Sequence, residues 1–203
     1  MNKKQLAIKL SKLKLLSKLD ISLEQYQIDG NLAADLLWVA YQNGDIKNKV
    51  VADLGCGNGM LGIGALLLGA KFAYFLDLDI NALKICKPNL ENLGSGKVKL
   101  INSDVADFNF KVDTVVMNPP FGVQKRKADK IFLETAMGYA KKVYSIHKIE
   151  SKNFIGQLCK ENNFRVLDIL EKKFIINRTY KFHIKNKYSF NVGIWILEKL
   201  LRP

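Results

Sequence analysis

Asn118-Pro119-Pro120-Phe121 and, upstream of it, Asp53-Leu54-Gly55-Cys56-Gly57-Asn58-Gly59 are the two runs whose residue types and order describe a reaction. An amino group attached to an aromatic ring or an acyl carbon is a poor nucleophile, because its lone pair is delocalised. Two acceptors set out of its plane draw the hydrogens aside and free that pair. The Asn118 side-chain oxygen and the Pro119 carbonyl are suitable acceptors. Pro119 and Pro120 fix the turn that presents them, which is preorganisation rather than acid–base catalysis, and no metal is required. Phe121 offers a flat apolar face on which a flipped base can stack. The glycines upstream remove side chains where a ligand must lie against backbone. Met60 stands where a dinucleotide fingerprint requires a third glycine or alanine. A donor without a pyrophosphate, S-adenosylmethionine, therefore suits this turn better than NAD.

Further acidic residues fall where such a donor needs them. Asp77 follows the glycines by about twenty residues, the position from which a carboxylate accepts hydrogen bonds from ribose hydroxyls. Asp79 competes for that role, but is also placed to cap a helix starting at Ile80 or Asn81. Asp104 is a candidate acceptor for an adenine amino group, with the Val105 N–H beside it; the alternative is a plain loop cap.

These residues must be carried by an alternating strand and helix chain. Leu6, Leu10, Leu13 and Leu16 recur at helical spacing among lysines, which predicts a basic amphipathic helix over 2–18, and a second helix is predicted over 31–42. Strands are expected at 49–54, 72–78, 98–102, 112–117 and 143–147. Helices should occupy 60–68, 80 or 81 to about 93, 130–140 and 151–162. Two longer β segments, 164–176 and 189–200, close the chain with no helix between them. The expectation is an α/β fold: a doubly wound, mostly parallel seven-stranded sheet with an antiparallel last strand, preceded by a helical extension. Residues 1–45 would form the extension and 46–203 the Rossmann-like core of one domain. Ligands of such sheets bind at the carboxyl ends of the strands, where both motifs fall.

Composition narrows the setting. Of the 203 residues 48% are hydrophobic, with no linker or low-complexity tract to suggest disorder. The lysine-rich N-terminus lacks the features of a secretory signal, and no uncharged apolar run is long enough for a membrane span. Cys56, Cys86 and Cys159 are odd in number and widely spaced, which suggests neither a disulfide framework nor a zinc site. A reducing cytoplasm is the expected location. Thirty-two Lys and Arg against 19 Asp and Glu give a formal charge of +13, which draws in a polyanion. Lys125, Arg126, Lys127 and Lys130 follow the Asn-Pro-Pro-Phe run directly. Lys181, His183, Lys185 and Lys187, interleaved with Tyr180, Phe182 and Tyr188, lie between the last two strands, as a phosphate-binding rim for RNA would. His147 and His183 have no metal-ligand company and are expected to hydrogen-bond or position substrate.

The motif alone admits adenine N6, cytosine N4 or a glutamine amide. Leu23-Glu24-Gln25-Tyr26, the Asp-Leu-Gly-Cys-Gly turn, Asn118-Pro119-Pro120-Phe121-Gly122, Val143-Tyr144-Ser145-Ile146-His147-Lys148 and Tyr180-Lys181-Phe182-His183 decide further. Together they resemble, almost end to end, the methyltransferase-like family that modifies N6 of an adenosine in small-subunit ribosomal RNA. Gln124-Lys125-Arg126-Lys127-Ala128-Asp129 is similar to its archaeal members. The resemblance implies that Gln25 closes over the cofactor, that Gly55, Asn58, Asp77, Asp104 and Val105 contact it, and that Asn118 to Phe121 form the catalytic loop. Ile28, Asp53, Gly57 and Leu78 complete the expected cofactor set. Where the family often has Pro-Thr this chain has Gln27-Ile28, so a hydroxyl contact from position 28 is lost. The resemblance also implies a small zinc-containing activator subunit, which would cover an apolar sheet edge formed by Val98 and Leu100. The alternative is a short edge protected by Lys97 and Lys99. Two other functions fit parts of the pattern: methylation of a release-factor glutamine, and RNA binding or assembly without catalysis.

Overall fold

The computed structural model describes residues 1–16, 27–91, 97–120, 128–177 and 187–200, with backbone alone at 174–177 and 187–190. Seven strands form one sheet in the order β3-β2-β1-β4-β5-β7-β6. They are β1 (Val50–Leu54), β2 (Phe72–Asp77), β3 (Lys97–Asn102), β4 (Thr114–Met117), β5 (Lys142–Lys148), β6 (Phe164–Asn177) and β7 (Lys187–Lys199). The first five are parallel, and β7 runs antiparallel to both β5 and β6. This is the expected doubly wound architecture, with the chain reversing direction across the sheet between β1 and β4.

Helices α1 (Lys3–Leu10), α2 (Gly30–Gln42), α3 (Met60–Leu67) and α4 (Ile80–Glu91) cover one face, and α5 (Ala128–Tyr139) and α6 (Lys152–Glu161) the other. Strand alternation divides the core accordingly. Val51, Ala73, Phe75, Val116 and Tyr144 join the first layer, whereas Ala52, Leu54, Leu76, Val115 and Val143 join the second. Leu6 and Leu10 of α1 are fully buried in the first layer, so the N-terminal helices are part of the core rather than an appendage.

The predicted first helix is too long. A capping box between Asn2 and Gln5 starts it, but it ends at Leu10 instead of continuing to 18. The reason is tertiary competition for backbone groups. The side-chain amide of Asn89 accepts from Lys14 N at 2.9 Å and donates to Lys14 O at 3.0 Å, taking the groups that a longer helix would pair internally. Leu13 still packs against the core from an irregular segment.

The last two strands form a hairpin longer than the sheet it joins. Pairing of β5 with β7 stops at Lys148 opposite Val192, whereas β6 and β7 pair on to Asn177 opposite Lys187. The hairpin thus overhangs the carboxyl ends of the parallel strands by the five rungs 187–191, on the order of 17 Å.

Candidate active site

Three strand ends assemble the site. Leu54 of β1 lies opposite Leu76 of β2 and Met117 of β4, so Gly55, Asp77 and Asn118 leave the sheet side by side. Neighbouring strands are about 4.8 Å apart, which brings residues more than sixty positions apart in the chain to one rim.

Gly55, Gly57 and Gly59 hold φ values of +69°, +55° and +86°, the left-handed region in which a Cβ is strained. The N–H groups of Gly55 and Cys56 donate to Leu76 O at 2.8 and 2.9 Å, folding the turn back over β2. A Cβ at Gly55 would meet the Phe132 ring at 2.9 Å, whereas one at Gly57 would meet nothing within 4 Å. The turn is therefore packed at its base and open at its middle.

The two carboxylates at these strand ends have separate surroundings. Asp53, 1% exposed, accepts from Gly62 N at 2.7 Å and so supplies the N-terminal cap of α3 that Gly59 has no side chain to give. Burial, with a smaller push from Asp77, raises its pKa to about 7 against the pull of the Gly62 bond. Asp77 accepts from Gly57 N at 2.7 Å through one oxygen and from Asp79 N at 2.9 Å through the other. A carboxylate has about four acceptor directions, so Asp77 keeps capacity for a ribose hydroxyl beyond these backbone donors. Asp79 accepts from Asn81 N at 2.8 Å, so its carboxylate serves the start of α4.

Beside Asp77 the rim is apolar and accessible. Leu78 is 52% exposed and Ile80 47%, which leaves apolar surface in the chain next to Asp77. Asn102 of β3 holds this corner by donating to the carbonyls of Asp77 and Leu78 at 3.0 and 2.9 Å. Asp104 accepts from Ala106 N at 2.9 Å as the cap of a short 3-10 turn, while the Val105 side chain is buried in the second core layer. Ile28 packs its side chain into the first layer and Asn58 is 6% exposed. Open backbone at Gly57, an acceptor at Asp77 and an apolar shelf at Leu78 and Ile80 fit an adenosine-bearing donor such as S-adenosylmethionine.

On the other side of the glycines, Asn118 is half-buried with its Oδ1 atom in the interior, and Pro119 is buried. Ser145 of β5 is the register partner of Met117, and its hydroxyl lies 2.7 Å from His147 Nε2. Both side chains are buried, and desolvation lowers the His147 pKa to about 3, leaving it neutral beneath the loop. Gln25, Phe121, Lys125, Arg126, Lys127, Lys181 and His183 lie outside the described residues. Sequence reasoning did not single out Asn89, Asn102 or Phe132. Nothing local marks them, since their roles arise from partners on other elements.

Comparison with known proteins agrees with this geometry. The family model described as methyltransferase small domain matches residues 28–145. The rRNA N(6)-adenosine-methyltransferase METTL5 of Danio rerio is 36% identical, over 85% of this chain and 86% of its own. That of Drosophila melanogaster is 34% identical, over 88% and 87%. A solved structure described as a candidate RNA methyltransferase of Pyrococcus horikoshii superposes with a TM-score of 0.93 at 44% identity, covering 99% of both chains. The chain thus belongs to the methyltransferase small domain family and, within it, to the group that holds the METTL5 rRNA N(6)-adenosine-methyltransferases.

Proposed function

We propose that this protein methylates N6 of an adenosine in RNA, and that the RNA is that of the small ribosomal subunit. The carrying observation is the shared rim: register places the glycine turn and Asn118-Pro119-Pro120 on adjacent strand ends, with Asp77 on the strand beyond. S-adenosylmethionine supplies, when bound, an electrophilic methyl group on a sulfonium. Gly57 backbone, the Asp77 carboxylate and the Leu78 shelf are the groups that would hold it, while Asp53 and Asn102 hold those groups in turn. Asn118 Oδ1, which would have to turn from the interior toward the base, and the Pro119 carbonyl would accept the two hydrogens of the adenine amino group, turning its lone pair out of conjugation. The proton leaves after the nitrogen has gained its methyl group, when it is acidic, so no strong base is needed. His147, buried and neutral, takes no part in proton transfer and supports the β5 end next to the loop.

RNA is favoured over a protein substrate by the +13 charge and by the overhanging hairpin. The hairpin stands beside the rim and leads into the basic segment with Lys181 and His183. Lys125, Arg126 and Lys127 follow the catalytic loop in sequence, and these basic residues are the ones we assign to phosphate contacts. The names of the METTL5 relatives point to the same substrate class. Strand β3 ends the sheet with one edge unpaired among the described strands, and Val98 and Leu100 pack toward α4 from it. It is the place for a partner to add a strand, and the small zinc-containing activator is the partner we assign to it.

The test is transfer of label from S-adenosylmethionine to small-subunit RNA or to a release factor, assayed alone and with the activator. Label recovered as N6-methyladenosine supports the proposal. Label in the release factor, or in neither, overturns it.

A further inference from the structure

Asn89 sits on α4, is 3% exposed, and touches neither of the motifs in sequence. Its amide nevertheless joins three segments. Oδ1 accepts from Lys14 N at 2.9 Å, and Nδ2 donates to Lys14 O and to Asn58 O, both at 3.0 Å. Asn58 completes the knot by donating from its own Nδ2 to Lys14 O at 3.1 Å. Two residues further on, Leu16 O accepts from Gln27 Nε2 at 3.2 Å, so the chain on either side of 17–26 is tied together.

We propose that Asn89 is a positioning residue for the cofactor site, acting by locking the N-terminal segment at Lys14 onto the glycine turn at Asn58. This rests on the reading of that turn as the S-adenosylmethionine site. The physical reason is the softness of the turn itself. Three glycines at positive φ have more freedom to lose on ordering than any other residues, and Gly57 has no side-chain packing to hold it. Asp77 holds the Gly57 N–H on one side of the turn, and Asn58, between Gly57 and Gly59, is the residue through which the turn is gripped from the N-terminal segment and α4. Asn89 grips its carbonyl, and Lys14 O grips its side chain. A buried amide with all of these partners is costly to leave unmade, so the knot closes as a unit and holds the Gly57 backbone where the ligand needs it. The same knot ends α1 and fixes where the segment leading to Gln25 begins.

The experiment measures S-adenosylmethionine affinity by calorimetry for the wild type, Asn89→Ala, Lys14→Pro and the double variant, with kcat and KM for RNA methylation. Lys14→Pro deletes the N–H that Asn89 Oδ1 accepts and fixes φ at a residue outside any helix or strand, leaving Asn89 in place, and keeps the test open should Asn89→Ala not fold. Each single change is expected to raise Kd on the order of tenfold, with kcat at saturating cofactor within about twofold of wild type. The double variant should bind no more weakly than the weaker single one, because both break one knot. Trypsin should also cut after Lys14 faster in Asn89→Ala, since the lock no longer holds that segment. Unchanged affinity in the single variants, losses that multiply in the double, or a fall in kcat alone would overturn the proposal. A wild type that binds no S-adenosylmethionine would instead overturn the reading of the site on which it rests.

Discussion

Asp53 and Asp77 stand at the ends of adjacent strands, yet the structure divides their work. Asp53 spends its carboxylate on Gly62 and is sealed from solvent, while Asp77 faces the open middle of the turn. On the acceptor side, the role we propose for Asn118 rests on an amide oxygen and on no titratable group. Asn118→Ala should therefore abolish methyl transfer, lowering kcat by at least about a hundredfold, the scale of losing one preorganised transition-state contact. Cofactor affinity by calorimetry should stay near the wild-type value, and an equal loss of binding would remove Asn118 from its assigned role. His147 carries the pH prediction. Its folded pKa of about 3 lies below the ordinary imidazole value of about 6.5, so between these values the unfolded chain binds the extra proton and folding stability falls as pH is lowered. His147→Gln keeps a partner for Ser145 and removes that titration. Urea unfolding at pH 7 and pH 5 should show a smaller acid loss in the variant than in the wild type.

At the scale of elements, α3 is the support under the site. It begins at the last glycine of the turn and lies flat on β2, because Gly62 has no side chain. A Cβ at Gly62 would fall 2.3 Å from Phe75 Cε1, with Phe75 fully buried. Gly62→Ala should cost roughly 1–3 kcal/mol, the usual penalty of overpacking, and weaken S-adenosylmethionine binding as well, because α3 and the turn shift together. A urea midpoint left at the wild-type value would show that the layer yields more easily than its packing indicates. Strand and helix order was legible because hydrophobic runs alternate with amphipathic ones, and the boundaries of β1, α3 and α4 begin within a residue of those expected. The length of α1 was not legible. Leu13 and Leu16 continue the helical period, but Asn89, 75 positions away, competes for the Lys14 backbone.

For the molecule as a whole, charge and shape act together. The +13 charge gives long-range attraction, and the backbone of the β6–β7 hairpin overhangs the strand ends from its place next to β5, two strands from the one that leads to Asn118. Lys125→Ala and Arg126→Ala should each weaken RNA binding and lower the slope of log K against log salt by about one. Cofactor affinity should not move, since neither residue belongs to the glycine turn. A salt slope equal to that of the wild type would place the phosphate contacts elsewhere on the surface.

By itself the sequence determined which residues are candidates for the chemistry and in what order the elements come. Glycine spacing, an Asn-Pro-Pro run and hydrophobic periodicity are local properties, set by side-chain absence, fixed φ and the pitch of each element. Only the tertiary structure decided that Asp53 serves a helix end, that Asp77 is held by Gly57 and Asp79, that Ile28 belongs to the core, and that Asn89 binds the N-terminal segment to the turn. Each of those outcomes is a competition among distant groups for the same buried hydrogen bonds. The winner depends on which partners the sheet brings together, and strand register, unlike composition or spacing, exists only once the chain has folded.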